Sequence, residues 1–417
     1  MAAAARRYLH FLFDNPRFLA FGLLLTAASS FGQTFCIALF GGDLRSAFGL
    51  SNGGFGAVYT TATLASAACL PWLGRQLDHM DLRVYASAVS LALAGSVLLL
   101  GAAGGLITLW LAVFGLRLCG QGLMGHTAVT SMARYFRERR GVAISIAASG
   151  HALGEAALPA LALLTAAAFG WRGAWSIFAG ALALVLVPAI FVLLRGHGER
   201  HARYLAEVGR PGEMLAAGGT VGWSATRLLR DPAFRLVLPM VLTPACLATG
   251  FLFHQVPLAE AKGWPLELLA RAFVGYAAGA VAGSLLTGVL IDRFGARRLL
   301  PFYLLPFAGA LVAVALADRP AVAFLFLAGT GLTAGASGIV LGALWAELYG
   351  TRELGAIRSV ASALMVFASG LSPFLFGWLI DQGASPETIA LGSTVWIGAV
   401  LLRLRVGQAV LTPSPAT

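Results

Sequence analysis

Twelve long apolar runs constrain this chain more than any other feature, because most have the length of about 20 residues with which a helix crosses a bilayer. The runs are continuously apolar rather than alternating, and a spanning helix satisfies its own backbone hydrogen bonds. Helices are therefore predicted instead of barrel strands. The predicted spans are 18–41, 53–73, 84–104, 106–130, 142–168, 173–194, 235–258, 268–290, 299–317, 321–345, 358–380 and 387–404.

Composition agrees with a membrane protein. Only 11% of the 417 residues are charged, against about a quarter in soluble globular proteins, and the mean hydropathy is +0.82. The net charge of +11 could suggest a nucleic-acid partner, but the basic residues lie in short segments between apolar runs. Cys36, Cys69, Cys119 and Cys246 lie inside apolar runs without the spacing of a disulfide framework or a metal site. We expect no nucleic-acid partner, no metal and no cofactor.

The distribution of basic residues predicts the orientation. With a cytoplasmic N-terminus, 23 of the 29 basic residues lie inside, and Arg117 lies within the membrane. Only Arg45, Arg172, Lys262, Arg271 and Arg319 lie outside. Both termini are therefore predicted to be cytoplasmic, and the first apolar run is interpreted as an uncleaved span because eleven more follow it. We expect a monomer in a bacterial inner membrane.

The longest polar segment divides the chain into two halves of six spans. It covers 195–232, so the predicted domains are an N-terminal bundle over 1–194, this cytoplasmic linker, and a C-terminal bundle over 233–417. Matched residues recur at a nearly constant offset of 214 to 216 positions, which indicates an internal repeat of the kind found in transporters. The matched pairs are Pro16 with Pro232, Phe18 with Phe234, Gly74 with Gly288, and Asp78 with Asp292.

Two polar stretches, "GRQLDHMDLR" at 74–83 and "GVLIDRFGARR" at 288–298, follow spans two and eight at the predicted cytoplasmic side. Both resemble the G-x-x-x-D-R-x-G-R-R loop signature of the major facilitator superfamily, which implies a twelve-helix, all-α transporter of two pseudo-symmetric six-helix bundles. The second copy matches at Gly288, Asp292, Arg293, Gly295 and Arg297. The first matches at Gly74, Asp78 and Arg83, with His79 and Asp81 in place of the signature's arginine and glycine.

These loops are predicted to act as a gating latch. A small glycine lets two helices approach closely, an aspartate can meet the positive N-terminus of a neighbouring helix, and arginine can pair with carboxylates. Such contacts would form when the cytoplasmic faces of the two halves close. The alternative is an ordinary hydrophilic turn with cytoplasmic arginines.

Other stretches resemble one branch of the superfamily, the monocarboxylate and oxalate/formate transporters. They are "VFGLRLCGQGLMGHTAV", "SMARYFRERRGVAISIAASGHALGEAALP", "GWR", "FLFHQVPLAEAKGW" and "LWAELYGTRELGAIRS". In that branch a cation in span eight or eleven often holds the substrate carboxylate. This chain departs from the pattern, because "AFVGYAAGAVAGSLLTGVL" of span eight and "SVASALMVFASGLSPFLFGWLI" of span eleven contain no cation.

Two formal charges lie deep in the predicted membrane, Arg117 in span four and Glu155 in span five. Each would cost about 2.5–3.5 kcal/mol or more at the bilayer centre, so a functional role is the default interpretation. Arg117, followed by Gln121, resembles the span-four motif that is tied to proton coupling in the superfamily. His151 lies four residues before Glu155 on the same helix face. The alternative is a structural Arg117–Glu155 pair.

Further candidates for a central substrate site are neutral or weakly basic: Gln33, Tyr59, His254, Gln255 and Tyr276. For each of them, a packing role is the alternative. Gly150 and Gly154 form a small-xxx-small pair, for which helix packing is predicted.

The sequence thus predicts a secondary transporter, not an enzyme, because no nucleophile-elbow, zinc-protease or phosphate-loop motif is present. We expect alternating access with protons as the coupling ion and a small organic solute, such as a monocarboxylate-like metabolite, as the substrate. Two alternatives stay open: proton-driven efflux of a drug-like or toxic compound, and a membrane sensor that does not transport.

Overall fold

The computed structural model describes residues 14–136, 139–208, 225–350 and 354–407, and the regular structure in these ranges is helical. In chain order the helices are α1 Pro16–Ala28, α2 Thr34–Leu39, α3 Gly41–Phe48, α4 Asn52–Arg75, α5 Leu82–Gly101, α6 Leu106–Tyr135, α7 Arg140–Leu193, α8 His197–Val208, α9 Ala225–Arg230, α10 Pro232–Phe253, α11 Gln255–Ala261, α12 Leu266–Phe294, α13 Ala296–Leu299, α14 Leu305–Leu316, α15 Pro320–Tyr349, α16 Leu354–Asp381 and α17 Pro386–Val406.

Among the described residues, eight helices are long and apolar enough to cross a membrane. One of them, α7, is 54 residues long and holds two predicted spans, so these eight helices account for nine of the twelve. The other three spans are present in less regular form: α14 is a shorter apolar helix, α4 carries more polar residues, and the first span is broken. The prediction of a twelve-helix, all-α membrane protein is confirmed, with these differences in the regularity of individual spans.

Gly170 explains why α7 holds two spans. Its φ of 70° lies in the left-handed region, which glycine adopts without steric cost, and its ψ of 165° interrupts the helical path. The interruption falls between the predicted spans 142–168 and 173–194.

The first span is not the continuous helix that its apolar run predicts. Helix α1 ends at Ala28, a 3-10 turn covers Ser29–Gly32, and Gln33 is extended, with φ −79° and ψ 153°. Helix α2 then begins at Thr34. This break matters because it leaves backbone groups available for side chains of other helices.

The chain folds into two compact units. Unit 1 comprises Met1–Cys36, Ala65–Gly154 and Leu164–Thr220, and unit 2 comprises Ile37–Leu64, Glu155–Leu163 and Val221–Thr417. The predicted bundle boundaries at 194 and 233 stay a prediction.

Close approach of small residues holds α7 against α1 inside unit 1. A side chain at Gly150 would collide with Leu23 and Thr26, and one at Gly154 would collide with Ser30. The Thr26 hydroxyl, in turn, donates a hydrogen bond to the carbonyl of Ala147. The predicted packing role of this glycine pair is therefore present.

In unit 2, α12 and α15 make the corresponding close contact. Gly279 and Gly283 of α12 lie against backbone atoms of Ala328 and Leu332 in α15. Without a hydrophobic driving force between helices in lipid, such close backbone contact is a main source of helix association.

Candidate transport site and gating motifs

Arg117 lies in an irregular part of α6. Residues Leu116–Met124 form a π-helical segment within the helix. This geometry is rare in proteins overall, and where it occurs it is often at a functional site. The Arg117 side chain is buried, with 3% of the residue exposed. Its Nη1 donates a 2.8 Å hydrogen bond to the carbonyl of Gly32. The buried cation is thus held by the backbone at the break after α1.

The break explains why the Gly32 carbonyl can accept this bond. In a continuous helix the amide of Cys36 would bond to Gly32, but here it bonds to Gln33 at 3.2 Å. The backbone of Gly120 and Gln121 also lies so close to Gly32 that a larger residue would collide there. Arg117 and Gln121 therefore flank the same broken turn.

His151 reaches this turn from α7. Its Nδ1 shares a 3.2 Å hydrogen bond with the hydroxyl of Ser29, and Ser29 is fully buried. The 3-10 turn Ser29–Gly32 therefore contacts His151 at its first residue and Arg117 at its last. We call Ser29, Gly32, Arg117 and His151 the turn cluster. The half-buried Gln33 follows it directly.

Glu155 follows His151 by one helical turn on α7 and is half-buried. The division between the units falls between Gly154 and Glu155, so these two candidates belong to different units. The predicted pairing of Glu155 with Arg117 stays a prediction.

Unit 2 brings three of the other candidates together beside aromatic rings. Tyr59 is fully buried, and its ring centroid lies 4.6 Å from that of Phe253. The next residue, His254, shares a 2.8 Å hydrogen bond through Nε2 with the carbonyl of Pro373. Gln255, the first residue of α11, is also fully buried. Aromatic surface with a few polar groups is typical of an organic-solute site.

Tyr276 has a different environment. It lies on α12, where its ring packs 6.1 Å from that of Phe273, and its carbonyl approaches Gly331 of α15. Helix packing accounts for these contacts.

The first loop motif forms an ion pair inside unit 1. The Asp78 carboxylate accepts a hydrogen bond from the Arg134 guanidinium at the end of α6, and Arg134 also donates to the carbonyl of Leu77 at 3.2 Å. Within unit 1, Asp78 is therefore paired with a side-chain cation, and its predicted contact with the N-terminus of a neighbouring helix stays a prediction. Gly74 faces the ring of His126 at ordinary contact distance.

Arg83 binds locally within the same loop. Its Nε and Nη2 donate to the two carboxylate oxygens of Asp81 at 3.1 and 2.9 Å, and Asp81 also caps α5 by accepting from the Arg83 amide at 2.8 Å. The hydrogen bond from the Arg83 side chain lowers the pKa of Asp81 to about 2. An Asp that accepts both charged and backbone donors is held in its ionised form.

The second loop motif uses an acid from another helix. Glu347 of α15 accepts hydrogen bonds from the amides of Ala296 at 2.6 Å and Arg297 at 3.2 Å. The Arg297 guanidinium donates to the Glu347 carbonyl and lies 3.9 Å from its carboxylate. Gly295 permits this turn because its φ is 78°.

Among the described residues, Gly288, Asp292 and Arg293 of the second motif make no comparable contact. Asp292 and Arg293 are exposed. Within the described parts of the chain, the Asp292 carboxylate makes no hydrogen bond or ion pair, and no atom approaches the side of Gly288 within 4 Å. The close helix approach predicted at Gly288 is therefore not observed.

Three residues that sequence reasoning did not single out secure helix ends: Arg134, Glu347 and Asp381. The amides of Asn52 and Gly53, at the start of α4, donate to the Asp381 carboxylate at 3.0 and 2.7 Å. Asp381 is the last residue of α16, so a residue far along the chain caps α4. For Glu347 and Asp381, the sequence signal was an acid directly after an apolar run. That signal does not identify the group that the acid binds.

Comparison with known proteins supports this fold. The family model of the Major Facilitator Superfamily matches residues 22–273 and 255–415. No curated protein matches the chain. A solved bacterial homologue of the human lysosomal transporter Spinster, inward-facing and unoccupied, aligns with a TM-score of 0.70 at 18% identity, over 96% of this chain and 99% of that one.

Two further solved structures are similar. The same Spinster homologue in an inward-facing, occupied conformation aligns with a TM-score of 0.65 at 18% identity, covering 95% of this chain and 98% of that one. The nucleoside transporter NupG aligns at 0.66 and 14% identity, covering 95% and 100%. Identities this low establish the fold alone, and the monocarboxylate and oxalate/formate branch stays a prediction. With a family match over almost its whole length, the chain belongs to the major facilitator superfamily.

Proposed function

We propose that this protein is a proton-coupled secondary transporter that moves a small organic solute by alternating access. The observation that carries the proposal is the turn cluster, in which two ionisable side chains, Arg117 and His151, meet one broken turn. Broken helices with exposed backbone groups are the places where transporters bind ions and substrates. Buried ionisable residues in a membrane helix are costly and are retained for function.

Glu155 is the proton carrier in this proposal. It lies one turn from His151 on α7, at a depth where an unpaired carboxylate would be costly. Taking up a proton neutralises the carboxylate. In the state in which Arg117 is predicted to pair with Glu155, the positive charge of the guanidinium favours the ionised carboxylate, and the proton is released again. Uptake and release of one proton within the cycle would then couple transport to the gradient.

The substrate assignment rests first on unit 1, where the Arg117 guanidinium can pair with the carboxylate of a monocarboxylate-like metabolite. Within unit 2, the polar groups at Tyr59, His254 and Gln255 lie beside aromatic rings, an environment that is typical of a site for an organic solute.

The transport test uses proteoliposomes under an imposed proton gradient. Solutes are first identified by an untargeted comparison of those taken up or lost by cells with and without the protein. We expect Glu155→Gln, which mimics the protonated acid, to abolish gradient-driven accumulation but to preserve exchange of substrate across the membrane. The matched control is Glu267→Gln at the exposed start of α12, which should behave like the wild type. Normal accumulation by Glu155→Gln would contradict the proposal.

A second candidate, proton-driven efflux of a drug-like compound, is favoured by the aromatic contacts around Tyr59 and Phe253. It is also favoured by the absence of a cation from residues 272–290 of span eight and 359–380 of span eleven. Arg117→Gln separates the two. For an anionic metabolite, the substitution should abolish binding. For a neutral or cationic compound, binding should persist while gradient-driven accumulation is lost.

The proposed orientation has both termini and the 195–232 segment in the cytoplasm, on the basis of the 23 basic residues on that side. A single cysteine introduced at Leu205 in a cysteine-free variant should resist impermeant thiol reagents in intact cells. A cysteine at Arg319, predicted to be outside, is the positive control. Labelling at 205 in intact cells would reverse the orientation.

A further inference from the structure

A cavity of about 680 Å³ lies between α10, α16 and α17 within unit 2. Its walls are mainly aliphatic and aromatic, including Leu242, Phe367, Leu371 and Trp396. Phe367 and Trp396 are 55% and 51% exposed. We call this cavity the α10–α17 groove.

The polar groups inside the groove bond to each other. The indole Nε1 of Trp396 donates to the Thr243 hydroxyl at 2.9 Å, and that hydroxyl donates to the Pro239 carbonyl at 2.7 Å. These bonds fix the floor of the groove and leave its walls apolar. The interior is thus suited to a hydrocarbon chain rather than to a polar solute.

Two arginines mark one end of the groove. Arg235 lies in the first turn of α10 and Arg403 in the last turn of α17, and both line the cavity. The Arg403 guanidinium donates to the Arg235 carbonyl at 3.1 Å, which brings the two residues together. Among the described residues, no acid lines the groove. The carboxylate of the nearby Asp231 accepts hydrogen bonds from the Phe234 amide and the Tyr349 hydroxyl.

The length of the groove matches one leaflet of a bilayer. From Arg235 to Leu247 the helix rises by about 18 Å at 1.5 Å per residue, and half of a hydrocarbon core is about 15 Å thick. The arginines lie at the end of the bundle that the charge distribution predicts to be cytoplasmic. An apolar groove of this length with a cationic end is complementary to a phospholipid, which has an acyl chain and an anionic headgroup.

We infer that the α10–α17 groove binds an anionic phospholipid from the bilayer. An acyl chain lies along the groove, and the headgroup phosphate accepts hydrogen bonds from the guanidinium groups of Arg235 and Arg403. Arginine suits this role because its planar fork donates two parallel bonds to a phosphate. A zwitterionic lipid of the same chain length would fill the groove but would add its own cation beside the two arginines.

The test counts lipids that remain bound to the purified full-length protein by native mass spectrometry. Dioleoyl phosphatidylglycerol is compared with dioleoyl phosphatidylcholine at equal concentration. We expect the wild type to retain phosphatidylglycerol in preference. Replacing both Arg235 and Arg403 with Gln should remove that preference. Each arginine should account for about a fivefold difference in the retention of phosphatidylglycerol relative to phosphatidylcholine. Equal retention of the two lipids by the wild type would overturn the inference.

The matched control replaces Arg298 and Arg405 with Gln. Both are exposed and lie outside the groove, at the same end of the bundle, so the net charge changes equally. This variant should keep the lipid preference of the wild type. If it loses the preference to the same extent as the groove variant, general surface charge holds the lipid and the inference fails.

Two further experiments distinguish a site for a lipid from a site for any small anion. Glycerol phosphate, which has the headgroup charge but no chains, should not raise the thermal stability at concentrations where phosphatidylglycerol does. Leu371→Trp should fill the groove and reduce phosphatidylglycerol retention while both arginines remain. Stabilisation by glycerol phosphate alone, or full lipid retention by Leu371→Trp, would contradict the proposed lipid site.

Discussion

The two loop motifs stabilise equivalent helix ends with opposite charges. In the first copy, an acid on the loop, Asp78, binds a base at the end of α6, Arg134. In the second, a base on the loop, Arg297, and its backbone amides bind an acid at the end of α15, Glu347. Helices α6 and α15 occupy matching positions in the repeat, 214 residues apart.

Substitutions within the repeat account for the exchange. At the helix ends, Arg134 corresponds to Leu348 and Glu347 corresponds to Ala133, and one position of the loop differs as well. Asp81 in the first copy corresponds to Gly295 in the second, and Arg83 corresponds to Arg297. Asp81 gives Arg83 a local partner, so in the first copy the contact with α6 comes from Asp78 instead. Gly295 has no side chain and adopts a positive φ, so Arg297 and the loop amides reach Glu347. A repeated motif thus determines where the loop meets a helix but not which charge each partner carries.

The largest expected effect comes from reversing the charges in the second copy. Glu347→Arg should lower the free energy of unfolding by about 2–3 kcal/mol, because two backbone amides lose a charged acceptor. Adding Arg297→Glu should not restore the loss, since the new acid is not placed to accept from the amides of residues 296 and 297. Thermal unfolding in detergent measures both variants.

The corresponding exchange in the first copy is the control. Its bond joins two side chains, of which Asp78 is 53% exposed, so Asp78→Arg should cost only about 0.5–1 kcal/mol. Adding Arg134→Asp should recover most of that stability. Equal recovery in the two copies would show that the backbone acceptor role of Glu347 is unimportant and would remove the distinction between them.

Transport distinguishes a gating role from local pairing. If both motifs act as latches, Asp78→Asn and Asp292→Asn should each reduce transport by about tenfold, the effect of a charge-assisted contact of about 1.4 kcal/mol made in one state only. The Asp78 variant should also favour inward-open states. Asp43→Asn, at the other predicted membrane face, is the control.

Asp292 makes this experiment informative, because its carboxylate has no partner among the residues that the structure describes. If its substitution reduces transport, Asp292 must make its contact in another conformation. If both variants transport normally, the motifs are ordinary hydrophilic turns, and their difference in charge is only structural.

The smallest effect is a pH dependence confined to the first copy. The pKa of Asp81 is lowered to about 2 by Arg83, below the usual value of about 3.9 for an unfolded chain. Its contribution is therefore fully present above about pH 4 and is lost as the pH falls toward 2. Because the pair is largely exposed, the contribution is a few tenths of a kcal/mol.

Asp81→Asn should therefore differ in thermal stability from the wild type at pH 6, and the difference should shrink as the pH is lowered toward 2.5. Arg83→Gln should remove the same pH-dependent contribution to the thermal stability. A difference that stays constant between pH 6 and pH 2.5 would mean that Asp81 acts only as a neutral helix cap. In the second copy, Gly295 offers no side chain for such an effect.

The transport site shows the same limits of sequence-based prediction. Arg117 and His151 could be selected from sequence because polar residues in an apolar run are conspicuous and costly. Their partners could not be selected, since Gly32 lies 85 residues from Arg117 and Ser29 lies 122 residues from His151. The break after α1 could not be predicted either, because Ser29–Gln33 contains no proline and its small and polar residues are flanked by apolar ones on both sides.

Hydropathy and spacing along the chain were enough to predict the membrane-spanning helices, their repeat in two halves and the positions of the exceptional polar residues. These follow from local properties, since a bilayer selects about 20 apolar residues wherever they occur. Which groups meet is visible only in the folded chain: Arg117 binds a backbone carbonyl, Glu347 binds loop amides, and Asp381 binds the start of α4. Hydrogen bonds and close helix contacts act over a few ångströms, and here they join residues that are far apart in the chain. Hydropathy describes each segment separately, so it cannot tell which distant residues come this close in space.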